Sequence, residues 1–191
     1  MKIEKGKPGY LKRKRNYVIG KTVLEFGIVI ALLVLGIVQT GDRLNMLTIV
    51  AVLGCLPASK ALVELIMLLP HKTIPVEMAE EIAAKTDCIT MAYDLVFTSD
   101  KHIMPVTSIA ISEHTICGYT PSEKVDTVFA GKHIKRILTE NGYGKVSVKI
   151  FDNYTAFLIR AEGMNNIASV EKKDTKKIEQ GIRRVLLNIS L

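Results

Sequence analysis

Four side chains of the kinds that bind metals or attack substrates lie between residues 100 and 117. They are Asp100, His102, His114 and Cys117. Zinc is bound by histidine, cysteine and carboxylate groups, usually four in a tetrahedron, so these four residues are the candidate metal ligands. A cysteine beside a histidine can also act as a nucleophile, which makes Cys117 with His102 or His114 the candidate catalytic group.

A simpler explanation accounts for the same residues. The chain has no Cys-x-x-Cys motif, and a core cysteine with two surface histidines needs no ligand. The glycine-rich motifs that bind phosphate groups or dinucleotides are also missing from the sequence. We therefore expect neither a metal nor a cofactor, and we expect a protein that is not an enzyme. A membrane-bound enzyme with an unfamiliar site at His102, His114 and Cys117 is the alternative.

A second group of charged residues interrupts two long apolar stretches. Lys21 and Glu25 are four residues apart in the first stretch, and Lys60 and Glu64 repeat this spacing in the second. Residues four apart share a helix face, so an antiparallel hairpin would pair Lys21 with Glu64 and Glu25 with Lys60. Charges inside a bilayer usually pair, which predicts a cluster that locks the two helices together. The alternative is a path for ions or protons, which requires an oligomer because two helices cannot enclose a pore.

The basic residues of the chain are concentrated before the first apolar stretch. Residues 1–16 carry seven basic residues and one acidic residue, whereas residues 71–191 carry 16 basic and 15 acidic residues. Six of the seven net positive charges therefore come from a short arm. Four residues of this arm adjoin the apolar stretch and are expected to contact anionic lipid headgroups: Lys12, Arg13, Lys14 and Arg15. The nearly neutral remainder lacks the basic surface of a nucleic-acid-binding protein.

The two apolar stretches themselves, residues 17–40 and 44–70, each exceed the roughly 20 residues that cross a bilayer. Gly41, Asp42 and Arg43 separate them, which predicts a two-helix transmembrane hairpin. Short flanks rich in lysine and arginine stay in the cytoplasm, so both termini are expected on the cytoplasmic side of the plasma membrane.

Small residues form stripes on both predicted helices, at a spacing that permits close helix approach. Gly27 and Ala31 lie on the first helix, and Gly54, Ala58 and Ala61 lie on the second. These stripes are turned away from the charged faces, so one helix contact cannot use both. The pattern therefore allows a homo-oligomer.

Residues 71–75 are a predicted linker to one cytoplasmic domain, residues 76–191. Its expected order is αβββαβαα, an α/β (α+β) fold with about four strands. Helix is preferred to strand for residues 154–162, and Asp174 is the expected cap of the last helix. The predicted elements are a helix over 76–85, strands over 88–98, 105–112 and 115–119, a helix from a capping box at Thr120–Glu123 to Glu140, a strand over 146–150 and two further helices.

Two apolar patterns indicate which faces of these elements are buried. Strict alternation predicts one face of the first strand, formed by Ile89, Met91, Tyr93, Leu95 and Phe97. The last helix carries an apolar stripe opposite a basic face, which predicts core packing, with binding to the inner leaflet as the alternative. The stripe consists of Ile178, Ile182, Val185, Leu186 and Ile189.

A three-stranded meander followed by a crossover helix and a fourth strand resembles the restriction-endonuclease-like core. Such a nuclease needs an acidic residue on the second strand and an acid-x-lysine motif on the third to hold Mg²⁺. Here the second strand reads TSIAIS over residues 107–112 and the third reads TICGY over 115–119. The resemblance therefore implies the topology without the nuclease activity.

The segments Val50–Lys60 and Leu186–Leu191 resemble uncharacterised bacterial two-span membrane proteins. This resemblance implies no activity and no site residues. The expected function is a non-catalytic, membrane-bound tether or adaptor for a protein partner that the sequence does not identify. A subunit of a transport assembly, using the lysine–glutamate cluster, is the third hypothesis.

Overall fold

The computed structural model describes residues 4–41, 45–99, 102–171 and 175–191. They form two compact units, one of Leu11–Lys72 and one that joins the described residues up to Tyr10 with Thr73–Leu191. The elements are α1 (Tyr10–Thr40), α2 (Met46–Leu68), α3 (Val76–Lys85), β1 (Thr90–Thr98), β2 (Ile103–Ser112), β3 (Thr115–Tyr119), α4 (Thr127–Glu140), β4 (Ser147–Phe151), α5 (Tyr154–Glu171) and α6 (Lys176–Ile189).

The first unit consists of α1 and α2, which are long and apolar enough to cross a membrane. Only 17% of the most apolar window of each helix is buried. A core helix of a soluble protein would be mostly buried, whereas here large apolar side chains such as Val38 and Leu56 are exposed. The apolar faces of the two helices are therefore directed outward, as expected of helices solvated by lipid.

The two helices pack antiparallel within this unit. Lys14 Nζ lies 3.2 Å from Glu64 Oε1. A Cβ atom added to Gly54 would lie 3.1 Å from Val29 Cγ2, so the glycine allows close approach. On α2, the small residues Ala51, Ala58 and Ala61 are buried, whereas Gly27 on α1 is exposed. The small stripe of α2 is therefore buried and that of α1 is not.

The second unit contains a four-stranded mixed sheet in the order β1-β2-β3-β4. The first two pairs are antiparallel and β3 pairs with β4 in parallel. This order confirms the predicted meander and crossover. Buried side chains of α4 and α6 form one apolar core with the sheet, and those of α3 and α5 form a second core on the other face.

The predicted alternation in β1 is wrong beyond its fourth residue. Tyr93 packs in the core beneath α3 and α5, whereas Leu95 and Phe97 pack in the core beneath α4 and α6. The strand changes face at Asp94, whose φ of 56° is left-handed. Buried Asp94 accepts hydrogen bonds from the Thr73 hydroxyl and from the Ile74 N–H, the latter at 2.9 Å, and these contacts favour the unusual conformation.

Two helix boundaries also differ from the sequence prediction. The capping box at Thr120–Glu123 does not start α4; Asp126 does, because its Oδ1 accepts hydrogen bonds of 2.9 Å from the N–H groups of Val128 and Phe129. Residues 154–162 are helical as preferred, but α5 continues through Gly163 to Glu171. A single glycine costs a helix only about 1 kcal/mol, which the burial of the next residue, Met164, offsets.

The stripe predicted for α6 is confirmed at Ile182 and Leu186, which are fully buried, so this helix packs on the sheet. Ile178 is 39% exposed and does not join the core. The buried residue of that turn is Glu179. The predicted cap, Asp174, lies outside the described residues, and Thr175 precedes the first residue of the helix.

Candidate functional site

The structure does not bring the sequence-predicted site residues together. His102 precedes β2 and His114 follows it, so the ten residues of this strand separate them. A strand rises about 3.3 Å per residue, which puts the two imidazoles on the order of 30 Å apart. His102 packs against Phe129 with ring centroids 5.1 Å apart. A site that uses both histidines is therefore not formed.

Cys117 is 1% exposed in the core beneath α5, with Met164 Sδ 3.5 Å from its sulfur. Burial raises the pKa of this thiol to about 12, although the charge of Arg160 acts in the opposite direction. A cysteine reacts as its thiolate, so Cys117 is a packing residue in the folded chain. Asp100, the fourth candidate ligand, lies outside the described residues. Within the described ranges, no three histidine, cysteine or acidic side chains are grouped as metal ligands.

A small cavity that the sequence did not indicate lies beside the turn between β2 and β3. It has a volume of about 160 Å³, and Arg160, Cys88 and Lys176 are among the residues that line it. The carboxylate of Asp87 and partial burial raise the pKa of the Cys88 thiol, which lowers its reactivity. Lys176 is held 3.6 Å from Glu179. The described residues that line the cavity therefore offer no activated nucleophile.

Glu179 connects several of the elements around this cavity. It is completely buried, yet its carboxylate accepts hydrogen bonds from the Thr90 hydroxyl at 2.6 Å and the Thr175 hydroxyl at 2.9 Å. The Glu113 N–H adds a third hydrogen bond at 3.3 Å. A buried carboxylate with several donors is a structural group that ties α6 to β1 and to the β2–β3 turn.

Two grooves flank β4, which lies at one edge of the sheet. A groove of about 660 Å³ separates its Lys149 face from α5, and a second of about 350 Å³ lies between its other face and α4. The first groove is lined by Ile159 and Arg160, and the second by Lys132 and Lys135, among others. Among the described residues, neither groove is lined by an acidic side chain.

Within the hairpin, the predicted charge pairs are wrong. Lys21 lies 3.8 Å from Glu25 on its own helix, and Glu64 pairs with Lys14 instead. Lys60 makes no ion pair with the described part of the chain. The long Lys14 side chain reaches along the helix to Glu64, while Lys21 is satisfied locally by a residue one turn away. Glu25 Oε2 is buried and accepts no hydrogen bond from a described residue.

The four basic residues proposed to contact lipid headgroups lie in the first turns of α1, which begins at Tyr10 inside the predicted arm of residues 1–16. Lys12 and Arg13 are exposed, and Lys14 and Arg15 are half-buried. The preceding residues fold with the domain: Gly6 accepts a hydrogen bond of 3.1 Å from the Tyr93 N–H.

In the part of the chain described here, three groups of polar side chains stand out: buried structural carboxylates, a charge cluster in the hairpin and a basic rim around β4. The described histidines, cysteines and acidic residues form no group of three that could hold a metal ion. No family model matches the chain, and no curated protein and no solved structure is similar to it.

Proposed function

We propose that this chain is an integral membrane protein that anchors a non-catalytic cytoplasmic α/β domain and presents it to a protein partner. The observation that carries the proposal is the hairpin, whose two long helices direct apolar side chains outward. Such a surface is stable in lipid and not in water. The attached domain has its own two-sided core, so it is a folded module and not a tail.

The charge distribution supports the orientation. The basic flank before α1 favours a cytoplasmic N-terminus, and two crossings return the chain to the same side. The connection between the helices spans only a few residues after Thr40, so little of the chain would face the outside. A protein of this design acts on the cytoplasmic side of the plasma membrane.

The two alternative functions have weaker support. An enzyme centred on His102, His114 and Cys117 would need these residues in one place, but the histidines lie at opposite ends of β2. A transport subunit would use the buried Glu25 carboxylate, yet two helices enclose no pore. Presentation of the domain requires neither a reactive set nor a channel.

Cysteine labelling on intact cells tests the orientation. We expect a membrane-impermeant maleimide to label Gln39→Cys, at the outer end of α1, and to leave Val170→Cys unlabelled until the cells are permeabilised. Val170 is the matched control because its side chain is 81% exposed on the domain. The unaltered chain, which contains Cys55, Cys88 and Cys117, provides the background. Labelling of Val170→Cys on intact cells, or recovery of the full chain in the aqueous fraction, would overturn the proposal.

The non-catalytic role is tested by separate alanine substitutions at His102, His114 and Cys117. We expect each variant that reaches the membrane at the normal level to support the cellular phenotype of the intact gene. Loss of the phenotype in a well-folded His114→Ala variant would favour the enzyme, because His114 is half-exposed and has no core to disturb.

A further inference from the structure

The two edges of the sheet differ in the hydrogen bonding of their main-chain groups. The outer edge of β1 is covered by residues near both termini: the Tyr93 N–H donates to Gly6 O at 3.1 Å and the Leu191 N–H donates to Val96 O at 2.9 Å. Phe97 and Ser190 add an antiparallel bridge. Among the described residues, no strand lies beyond β4. The edge of β1 is therefore paired, whereas the edge of β4 carries no described strand; there Ile150 is 5% exposed and a Cβ atom at Gly131 of α4 would lie 3.4 Å from Val148 O.

The edge of β4 has main-chain groups that make no hydrogen bond to β3. The Ser147 N–H donates to His114 O, and Phe151 O accepts from the Thr120 N–H, so these residues face β3. Neighbouring residues of a strand point their main-chain groups to opposite sides, which turns those of Val148 and Ile150 away from β3. An extended segment placed beside β4 could continue the ladder there.

The residues that line the two grooves beside β4 determine which side chains of an added segment would fit there. Alternate residues of an added strand point to opposite faces, one set toward α5 and the other toward α4. The α5 side offers Arg160 and Lys149, and the α4 side offers Lys132 and Lys135. None of these four cations lies within ion-pair distance of a described carboxylate. Apolar surface from Ile159 and Val128 lies beside them.

We propose that the edge of β4 is a strand-addition site for an extended acidic segment of a partner protein, with apolar residues between its acidic ones. This inference rests on the proposed role of the domain in binding a protein partner. Charge complementarity identifies the occupant, because acidic side chains on either face of the added strand would meet cations that have no carboxylate partner among the described residues; Lys149 contacts the Phe151 ring, 4.9 Å from its centroid.

A second copy of this chain is a poorer occupant. Lys149 is the central residue of the five in β4. Antiparallel pairing of two β4 strands would place the two Lys149 side chains opposite or next to each other, and like charges in that position are destabilising. A lysine in an edge strand is a common protection against such self-pairing. A nucleic acid would meet the same cations but could not continue the main-chain ladder.

The test uses the full chain in a neutral detergent and a fluorescent peptide with the core threonine-valine-glutamate-glutamate-valine-threonine, which puts one glutamate on each face of an added strand. We expect saturable binding that weakens with salt, together with slower hydrogen exchange at the amides of Val148 and Ile150. A peptide with lysine in place of glutamate is the matched control and should not bind.

Two variants distinguish the contribution of main-chain hydrogen bonds to peptide binding from that of the positive charges. Val148→Pro removes an outward N–H without removing a hydrogen bond to β3, and Lys132→Glu with Lys149→Glu reverses one cation in each groove. We expect each to weaken binding about tenfold, a loss of one or two favourable contacts. Lys177→Glu, which reverses one charge at an exposed position of α6, should have no effect.

Three results would overturn the strand-addition site: no binding of the acidic peptide, an equal loss in Lys177→Glu, or tighter binding of an oligothymidylate that protects the same amides. None of them bears on the labelling pattern of Gln39→Cys and Val170→Cys. The proposal of a membrane-anchored adaptor is therefore tested independently of the proposed strand-addition site.

Discussion

Cys117 lies in a layer of apolar side chains between the sheet and α5. Its burial raises the thiol pKa from 9.0 to about 12, despite the nearby positive charge of Arg160. A pKa raised in the folded state means that the neutral thiol favours folding below the unfolded pKa. This contribution is lost as the pH rises from 9 to 12, at about 1.4 kcal/mol per pH unit.

We therefore expect Cys117 to resist alkylation in the folded chain, because on the order of one in ten thousand molecules carries the thiolate at pH 8. Between pH 9 and pH 10 its rate should rise about tenfold, whereas the rate of a small free thiol approaches its plateau. Mass spectrometry of peptides from iodoacetamide-treated protein in neutral detergent measures both rates. Half-exposed Cys88 is the internal comparison and should react first.

A Cys117 that reacts as fast as Cys88 at pH 8 would contradict this environment. It would also restore the hypothesis that this cysteine is a nucleophile. The sequence contains the correct residue types for that chemistry but not their depth, because the depth of Cys117 depends on α5, which packs against β3 from more than thirty residues further along the chain.

At the scale of elements, the sequence predicts the bounds of those helices and strands that depend only on neighbouring residues. The bounds of α3 and β3 agree with the sequence prediction, because an amphipathic helix and a short alternating strand are encoded in adjacent residues. The change of face at Asp94 was not predictable in this way. It depends on hydrogen bonds from Thr73 and Ile74, about twenty residues earlier in the chain.

The start of α4 shows how two plausible caps compete. The sequence favoured Thr120 with Glu123, but the Thr120 hydroxyl instead accepts a hydrogen bond from the Ser122 N–H at 3.3 Å. Asp126 satisfies two N–H groups of the first turn. One carboxylate that serves two main-chain donors also interacts favourably with the positive end of the helix dipole.

We expect Asp126→Ala to destabilise the first turn of α4 by about 1 kcal/mol, the usual loss for an N-cap. Glu123→Ala should change little, since this exposed residue precedes the helix. Hydrogen exchange at Val128, Phe129 and Ala130 in the full chain measures the difference. Faster exchange in Glu123→Ala than in Asp126→Ala would show that the capping box forms after all.

At the scale of the whole molecule, the charge of the chain is divided between its units. The excess of positive charge belongs to the first 16 residues, yet these do not form one free arm. Lys5 donates a hydrogen bond to the Ser190 carbonyl, which fastens the described N-terminal residues to the domain, while Tyr10 begins α1. Contacts between residues at opposite ends of a chain leave no periodic signal in a sequence.

The ion pair between Lys14 and Glu64 links the two predicted membrane crossings, so its loss should weaken the hairpin. Lys14 and Glu64 are 22% and 41% exposed and lie 3.2 Å apart, whereas the sequence favoured Lys21 as the partner. We expect Glu64→Lys to weaken the hairpin by up to about 1 kcal/mol, the range of partly solvated ion pairs. The double variant Lys14→Glu with Glu64→Lys should recover most of this loss.

The matched control is Lys21→Glu with Glu64→Lys, which makes the same exchange of charge but should recover nothing, because Lys21 pairs with Glu25. Disulfide formation between cysteines introduced at Val29 and Gly54 reports the association of the helices, since these positions are in contact at the centre of the hairpin. Its yield at increasing concentrations of dodecyl sulfate ranks the variants. Recovery by Lys21→Glu and not by Lys14→Glu would show that Glu64 pairs with Lys21, as the sequence favoured.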